Sequence, residues 1–240
     1  DDPIGHIKCM IMPAIALGIG AGSFAAGYLS GNKIEYGLIP LGSLGMTVFG
    51  AFLAQSGRSL TEVIVGLGLY GFFAGFFIVP IAALIQHRPD SKEKGAVIAA
   101  SNLLSFVGIF IAAGVFYLRG SVLHLSGRQV FLLTTLLTLG GTIYGLWLLP
   151  SAFLRFLLWI ATHTVYRVRV NGRDNIPAKG GALFVCNHVS FVDALLLIAA
   201  TDRHVRFMML KSYFELPYVK PFARALGVIP ISSEQRPRDL

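Results

Sequence analysis

Two side chains stand out for the chemistry they could do together. In the run Asn187-His188-Val189-Ser190-Phe191-Val192-Asp193, a histidine and a carboxylate lie five residues apart, between an apolar stretch and a second apolar run. On one continuous helix they would point about 140° apart, too far to meet. If His188 precedes a helix and Asp193 sits in its first turn, the chain bends and the two can approach. A carboxylate bonded to one ring nitrogen would fix the tautomer and leave the other nitrogen to take a proton from an attacking hydroxyl. No Ser or Cys nucleophile is needed when the acceptor hydroxyl itself attacks an acyl thioester. The helix start would also offer a seat for a phosphate. A purely structural reading competes: Ser190 with Asp193 three residues later is a capping-box pattern. That pattern accounts for Ser190 and Asp193 but for neither Asn187 nor His188.

The elements that must position this pair follow from the surrounding pattern. Val165 to Val170 alternates, with Tyr166, Val168 and Val170 on one face and Arg167 and Arg169 on the other, ahead of an Asn171-Gly172 turn. Ala182 to Cys186 reads as a buried strand, Ser190 to Ala200 as a helix, and Val205 to Leu210 as a strand. A short helix at Phe222 to Leu226 and a strand at Val228 to Ile231 complete the series. Strands alternating with helices predict an α/β domain over residues 151–240.

Residues 1–150 follow a different rule. The chain is 55% hydrophobic and 13% charged, with a mean hydropathy of +0.69. Soluble domains carry about 25% charged residues, so membrane insertion is the simplest account. A span needs about 20 mainly apolar residues, and five segments qualify: 10–29, 37–56, 63–86, 96–118 and 129–149. Gly18 and Gly22, and likewise Gly71 and Gly75, form G-x-x-x-G pairs. Such pairs let helices approach closely in lipid; packing is the plain reading, and rocking against neighbours the sharper one. Pro150 should stop the fifth span, and residues 152–163 read as an interfacial helix.

Charge is uneven. Of the net +8, residues 1–150 supply +2 and residues 151–240 supply +6. A basic part beside a bilayer draws anionic headgroups, phosphorylated substrates or an acidic carrier protein; apolar spans leading straight into it argue against nucleic acid. With residues 151–240 placed in the cytoplasm, the loops holding Lys33, Arg88, Lys92 and Lys94 are also inside. Cys9 and Cys186 read as ordinary buried thiols. None of His6, His87, His124, His163 and His204 has metal-ligand spacing, so no metal is expected. Glu62 and Gln86 lie near span ends, Asn102 sits deeper, and Arg203, Arg206, Lys220 and Arg224 form a candidate basic surface.

Asn187-His188-x-Ser190-x-x-Asp193 resembles the N-H-x-x-x-x-D block of the glycerol-3-phosphate and 1-acylglycerol-3-phosphate acyltransferase family. Phe207 to Pro217 is similar to the family's next segment, and Gly227-Val228-Ile229-Pro230-Ile231 to its second block. Pro230 stands where an aromatic is common, and Ser233 where Arg is usual. The resemblance implies that His188 and Asp193 catalyse, that Asn187, Ser190, Lys211 and Gly227 lie along the substrate site, and that the donor is a thioester on acyl carrier protein or coenzyme A, with no resident cofactor. Lys211 has a plainer alternative as the cap of a strand end. The family's F-P-E-G block does not occur within the chain, which also opens without Met. A piece of a longer protein, inactive by itself, is therefore expected.

Gly27 to Gly37 is similar to a degenerate cytoplasmic loop motif of major facilitator transporters, and Val79 to Gln86 resembles their lysophospholipid-transporting branch. These likenesses imply an all-α bundle of C-terminal spans, the eighth to twelfth of twelve, ahead of an incomplete α/β acyltransferase domain. They further imply a bacterial inner-membrane protein with membrane lipids and lysophospholipid as its partners. Two other readings remain open: a transporter whose C-terminal domain no longer catalyses, and a membrane part that serves only as an anchor.

Overall fold

The computed structural model describes residues 3–31, 33–55, 59–118, 126–164, 169–177, 179–190, 192–201, 203 and 205–232. It divides into two compact units, Asp1–Leu149 and Pro150–Leu240.

The described residues of the first unit form five helices: α1 (Pro3–Ser30), α2 (Leu38–Leu53), α3 (Leu60–His87), α4 (Lys94–Leu118) and α5 (Gly127–Leu148). Four of them are long and apolar enough to cross a membrane, α1 doing so over Ile11–Ser30. The second expected span is the exception. Its helix has 16 residues, about 24 Å at the α-helical rise, short of the roughly 30 Å of hydrocarbon. It begins at Leu38, after turn hydrogen bonds from Leu38 and Ile39 back to Glu35 and Tyr36, and it ends at Leu53, before the polar Gln55.

The two glycine pairs face each other. A Cβ on Gly18 would lie 2.1 Å from the Gly68 carbonyl oxygen, and one on Gly22 only 1.9 Å from that of Phe72. From the other side, a Cβ on Gly71 would lie 2.6 Å from the Ile15 oxygen, and one on Gly75 2.5 Å from the Ser23 nitrogen. Backbone therefore touches backbone along α1 and α3, as close packing in lipid requires. α2 packs against α3 and α5: Gly45 lies under the Phe73 ring and Gly50 under Thr135, and Phe49 stacks on Phe73 at 5.7 Å. Thr47 and Thr142 meet across α2 and α5 at 3.1 Å. α4 buries none of its residues, and Asn102 is exposed on it.

Glu62 has a structural job that the sequence reading did not assign. Its carboxylate accepts from the Ser59 N–H at 2.8 Å, and Ser59 Oγ accepts from the Glu62 N–H, closing a capping box at the start of α3. Ser126 and Gln129 do the same for α5. Gln86 and His87 are exposed at the end of α3.

The second unit opens with α6 (Pro150–Thr164), which begins at the proline expected to end α5. Its Phe156 is 1% exposed and stacks on Trp159. A 3₁₀ turn at Arg173–Asn175 follows the left-handed Gly172 (φ 74°), where the Asn-Gly turn is expected. Then come α7 (Val192–Ala200), β1 (Met208–Leu210), α8 (Lys211–Phe214), α9 (Lys220–Ala225) and β2 (Ile229–Ile231). α7 packs on α6, with Ile198 buried. β1 and β2 pair in parallel, Met208 opposite Ile229 and Leu210 opposite Ile231, with the crossover running through α8 and α9. Pro230, opposite Met209, donates nothing to the ladder, as suits an edge position.

The expected strand at Ala182 to Cys186 does not form. Leu183 is 82% exposed and Val185 86% exposed, and among the described residues no strand pairs with them. A strand buried on both faces exists only through its neighbours, and none pairs with this segment among the described residues. Cys186 is correspondingly exposed rather than buried. Residues 165–168 of the first expected strand lie outside the described residues, as do His124, His204 and Ser233; Arg169 and Val170 are not in a strand. The other two strands form, each shorter than its expected span.

Candidate acyl-transfer site

The bend expected between His188 and Asp193 is present. Ser190 precedes α7, and Asp193 is the second residue of the helix, with its N–H bonded to the Ser190 carbonyl at 3.0 Å. Asp193 Oδ2 lies 3.1 Å from His188 Nδ1. The same oxygen accepts from the Val189 N–H at 2.7 Å and the Ser190 N–H at 2.9 Å. Ser190 Oγ accepts from the Val192 N–H at 3.3 Å.

The cap and the contact with His188 are therefore made by one carboxylate. Asp193 returns the capping bond to the Ser190 backbone, and the hydroxyl caps one residue earlier than a full capping box would. Oδ2 meanwhile collects His188. Those backbone donors, Ser190 first and Val189 next, hold the Asp193 carboxyl below the usual carboxylate range. Its partial burial opposes them, and the contact with His188 adds to the lowering. A carboxylate at the first turn also suits the positive end of the helix dipole.

With Nδ1 facing a carboxylate, the ring is held as the Nδ1–H tautomer and Nε2 is left to accept a proton. The His188 side chain is 68% exposed and that of Asp193 26%, so the imidazole is open to solvent while the carboxylate it meets is more sheltered.

The other expected site residues are placed as follows. Asn187 is exposed beside His188. Lys211 is exposed at the first position of α8, directly after β1. Gly227 ends α9 in the left-handed conformation (φ 67°), its N–H bonded to the Arg224 carbonyl and the Val228 N–H to that of Ala223. That is the helix stop which glycine serves best. The described hydrogen bonds join neither Lys211 nor Gly227 to the His188–Asp193 pair.

Arg206 and Arg224 are exposed, as a basic surface requires, and Lys220 is half-buried. Arg203 departs from that expectation: its guanidinium donates to the carbonyls of Pro177 and Gly180. The sequence held no signal for this, because an arginine bound to backbone oxygens has no partner side chain to reveal it. Among the described residues no group of three or more His, Cys, Asp or Glu could hold a metal ion.

Residues 167–239 match the sequence model of the family described as Acyltransferase. The chain is 38% identical over 110 residues to the lysophospholipid transporter LplT of Klebsiella pneumoniae, covering 45% of this chain and 27% of that protein. It is 36% identical over 85 residues to an uncharacterized protein of Mycobacterium tuberculosis, covering 32% of this chain and 24% of that one. A protein of Mycobacterium leprae is 36% identical over 83 residues, 31% of this chain and 22% of its own length. The chain thus spans about a quarter of the length of the curated relatives it matches. No solved structure matches it. His188 and Asp193 both fall inside the family segment, and the chain joins that acyltransferase-family segment to membrane helices and partial similarity to a lysophospholipid transporter, as a transporter–acyltransferase fusion does.

Proposed function

We propose that the protein transfers an acyl group from a thioester to a hydroxyl of a lysophospholipid or acylglycerol phosphate, and that its membrane helices deliver the lysophospholipid. The observation that carries this reading is the 3.1 Å contact between His188 Nδ1 and Asp193 Oδ2, inside the family segment. His188 Nε2 takes the proton of the acceptor hydroxyl as its oxygen attacks the thioester carbonyl. The C–S bond then breaks, the new ester C–O bond remains, and the imidazolium returns its proton to the thiolate. Asp193 orients the ring throughout. Asn187, Ser190, Lys211 and Gly227 border the substrate, the start of α7 favours its phosphate, and the thioester is a co-substrate rather than a resident cofactor. The net +6 charge of residues 151–240 suits an acidic carrier protein as donor and a cytoplasmic face at the cell membrane.

The test uses the full-length protein in vesicles, with lysophospholipid and either acyl-carrier or coenzyme A thioester. His188→Ala should cut acyl transfer about 100- to 10,000-fold and leave lysophospholipid movement intact. Acyl transfer that survives the substitution would sink the assignment. Ser233, standing where the family usually has Arg, favours a second reading: a lipid transporter with a non-catalytic acyltransferase-like domain. Wild-type protein that moves lysophospholipid but acylates it from neither donor would establish that one.

A further inference from the structure

We propose that Arg203 is a positioning residue for His188, holding the far end of the segment whose near end Asp193 holds. The inference rests on the catalytic reading of His188 above. Between Gly180 and His188 the described chain makes no ladder hydrogen bonds, and most of it is exposed. Among the described residues, side chains bind the two ends of this segment. At one end, Asp193 Oδ2 grips the N–H groups of Val189 and Ser190. At the other, the Arg203 guanidinium grips the carbonyls of Pro177 and Gly180 through its two terminal nitrogens.

These two side chains flank α7, a helix of nine residues and about 13.5 Å. The helix therefore acts as a splint, with a carboxylate at its start and a guanidinium just beyond its end, each binding backbone of the same segment. Arg203 is itself held firmly. Its N–H donates to Oγ1 of the buried Thr201 at 3.1 Å, and its carbonyl accepts from Arg155 Nη2, on α6, at 3.2 Å. A planar fork with two donors in fixed relation suits two carbonyls three residues apart; an ammonium on a flexible stem does not. With both terminal nitrogens engaged by backbone, Arg203 serves the loop rather than a ligand.

The experiment uses full-length protein in phospholipid vesicles, wild type against Arg203→Ala and Arg203→Lys. Acyl transfer should show kcat reduced about 100-fold in Arg203→Ala, with KM for lysophospholipid and thioester within about twofold, the pattern of misplacement rather than lost binding. Lysine should not restore it, whereas added guanidinium should recover part of the rate. A KM for lysophospholipid raised about tenfold at unchanged kcat would overturn the proposal and put Arg203 on the substrate. Unchanged kinetics would overturn it as well.

A second readout is independent of turnover. In protein labelled with ¹⁵N-histidine, the Nδ1–H resonance that His188→Gln abolishes should weaken in Arg203→Ala and Arg203→Lys and persist in Arg128→Ala. Its persistence in the Arg203 variants would overturn the proposal even if wild-type protein proved unable to acylate. That inability, with the resonance weakened as expected, would strike the catalytic reading alone. Should Arg203→Ala fail to fold, Arg203→Lys and Arg155→Ala carry the same comparison.

Discussion

The α1–α3 contact and the segment from Pro177 to Ser190 are held in opposite ways. Along α1 and α3 each helix satisfies its own backbone, and the absence of side chains at Gly18, Gly22, Gly71 and Gly75 lets two backbones touch. From Pro177 to Ser190 the described backbone shows no such ladder, and side chains reach in from α7 and just beyond it to bind it at its two ends. The first contact rests on many small dispersion gains spread over a surface. The second rests on a few hydrogen bonds, most of them with a charged partner. The first should thus be sensitive to volume and indifferent to pH, and the second the reverse.

The largest effect should come from breaking the second kind. Asp193→Asn removes the charge that Val189, Ser190 and His188 share, and acyl transfer by the full-length protein should fall about 10,000-fold, as when a histidine loses its orienting carboxylate. A loss under tenfold would show that the ring is oriented by something else.

Volume is the test of the first kind. Gly22→Leu places atoms where the Phe72 carbonyl lies and should destabilise the packed helices by about 1–3 kcal/mol. Gly20→Leu, whose Cβ would meet nothing within 4 Å, should be neutral. Unfolding in mixed detergent compares the two, and equal stabilities would refute the glycine contact.

A smaller loss, about 1 kcal/mol, should follow Ser59→Ala, which opens the capping box of α3. Because that box lies at a helix end rather than in the α1–α3 seam, Ser59→Ala should add to Gly22→Leu independently.

The mildest perturbation is acid. A carboxyl held below its ordinary range stabilises the folded turn at pH above the unfolded carboxylate value, and this contribution is lost as pH falls through the lower folded value. The Val189 and Ser190 amide resonances should therefore titrate together, with a midpoint below that of a free aspartate. Resonances of the α1–α3 seam should stay flat over the same range. A midpoint at or above the free value would contradict the shared carboxylate.

The same contrast explains what could be read from the sequence. A long apolar helix closes its own hydrogen bonds, so a helix appears at each of the five expected spans, four of them long enough to cross a membrane, and the glycine pairs meet as their spacing implies. The helix that begins at Val192 was legible from its cap, and the contact between His188 and Asp193 from the bend which that start imposes. A strand depends on partners elsewhere in the chain, so the apolar run Ala182 to Cys186 reads as buried from its composition and is largely exposed. Arg203 read as one more surface cation, since its partners are carbonyls that every residue carries. α2 is short mainly because it stops at Leu53, three residues before the end of the apolar window.

One carboxylate oxygen, Asp193 Oδ2, serves three partners, two backbone N–H groups just ahead of α7 and the proposed base, His188. In a genetic screen the two duties cannot come apart at this position, because every substitution that frees the imidazole also unties the start of α7. Variants that keep their fold while losing their chemistry should therefore collect at His188, and position 193 should be represented among survivors by aspartate alone.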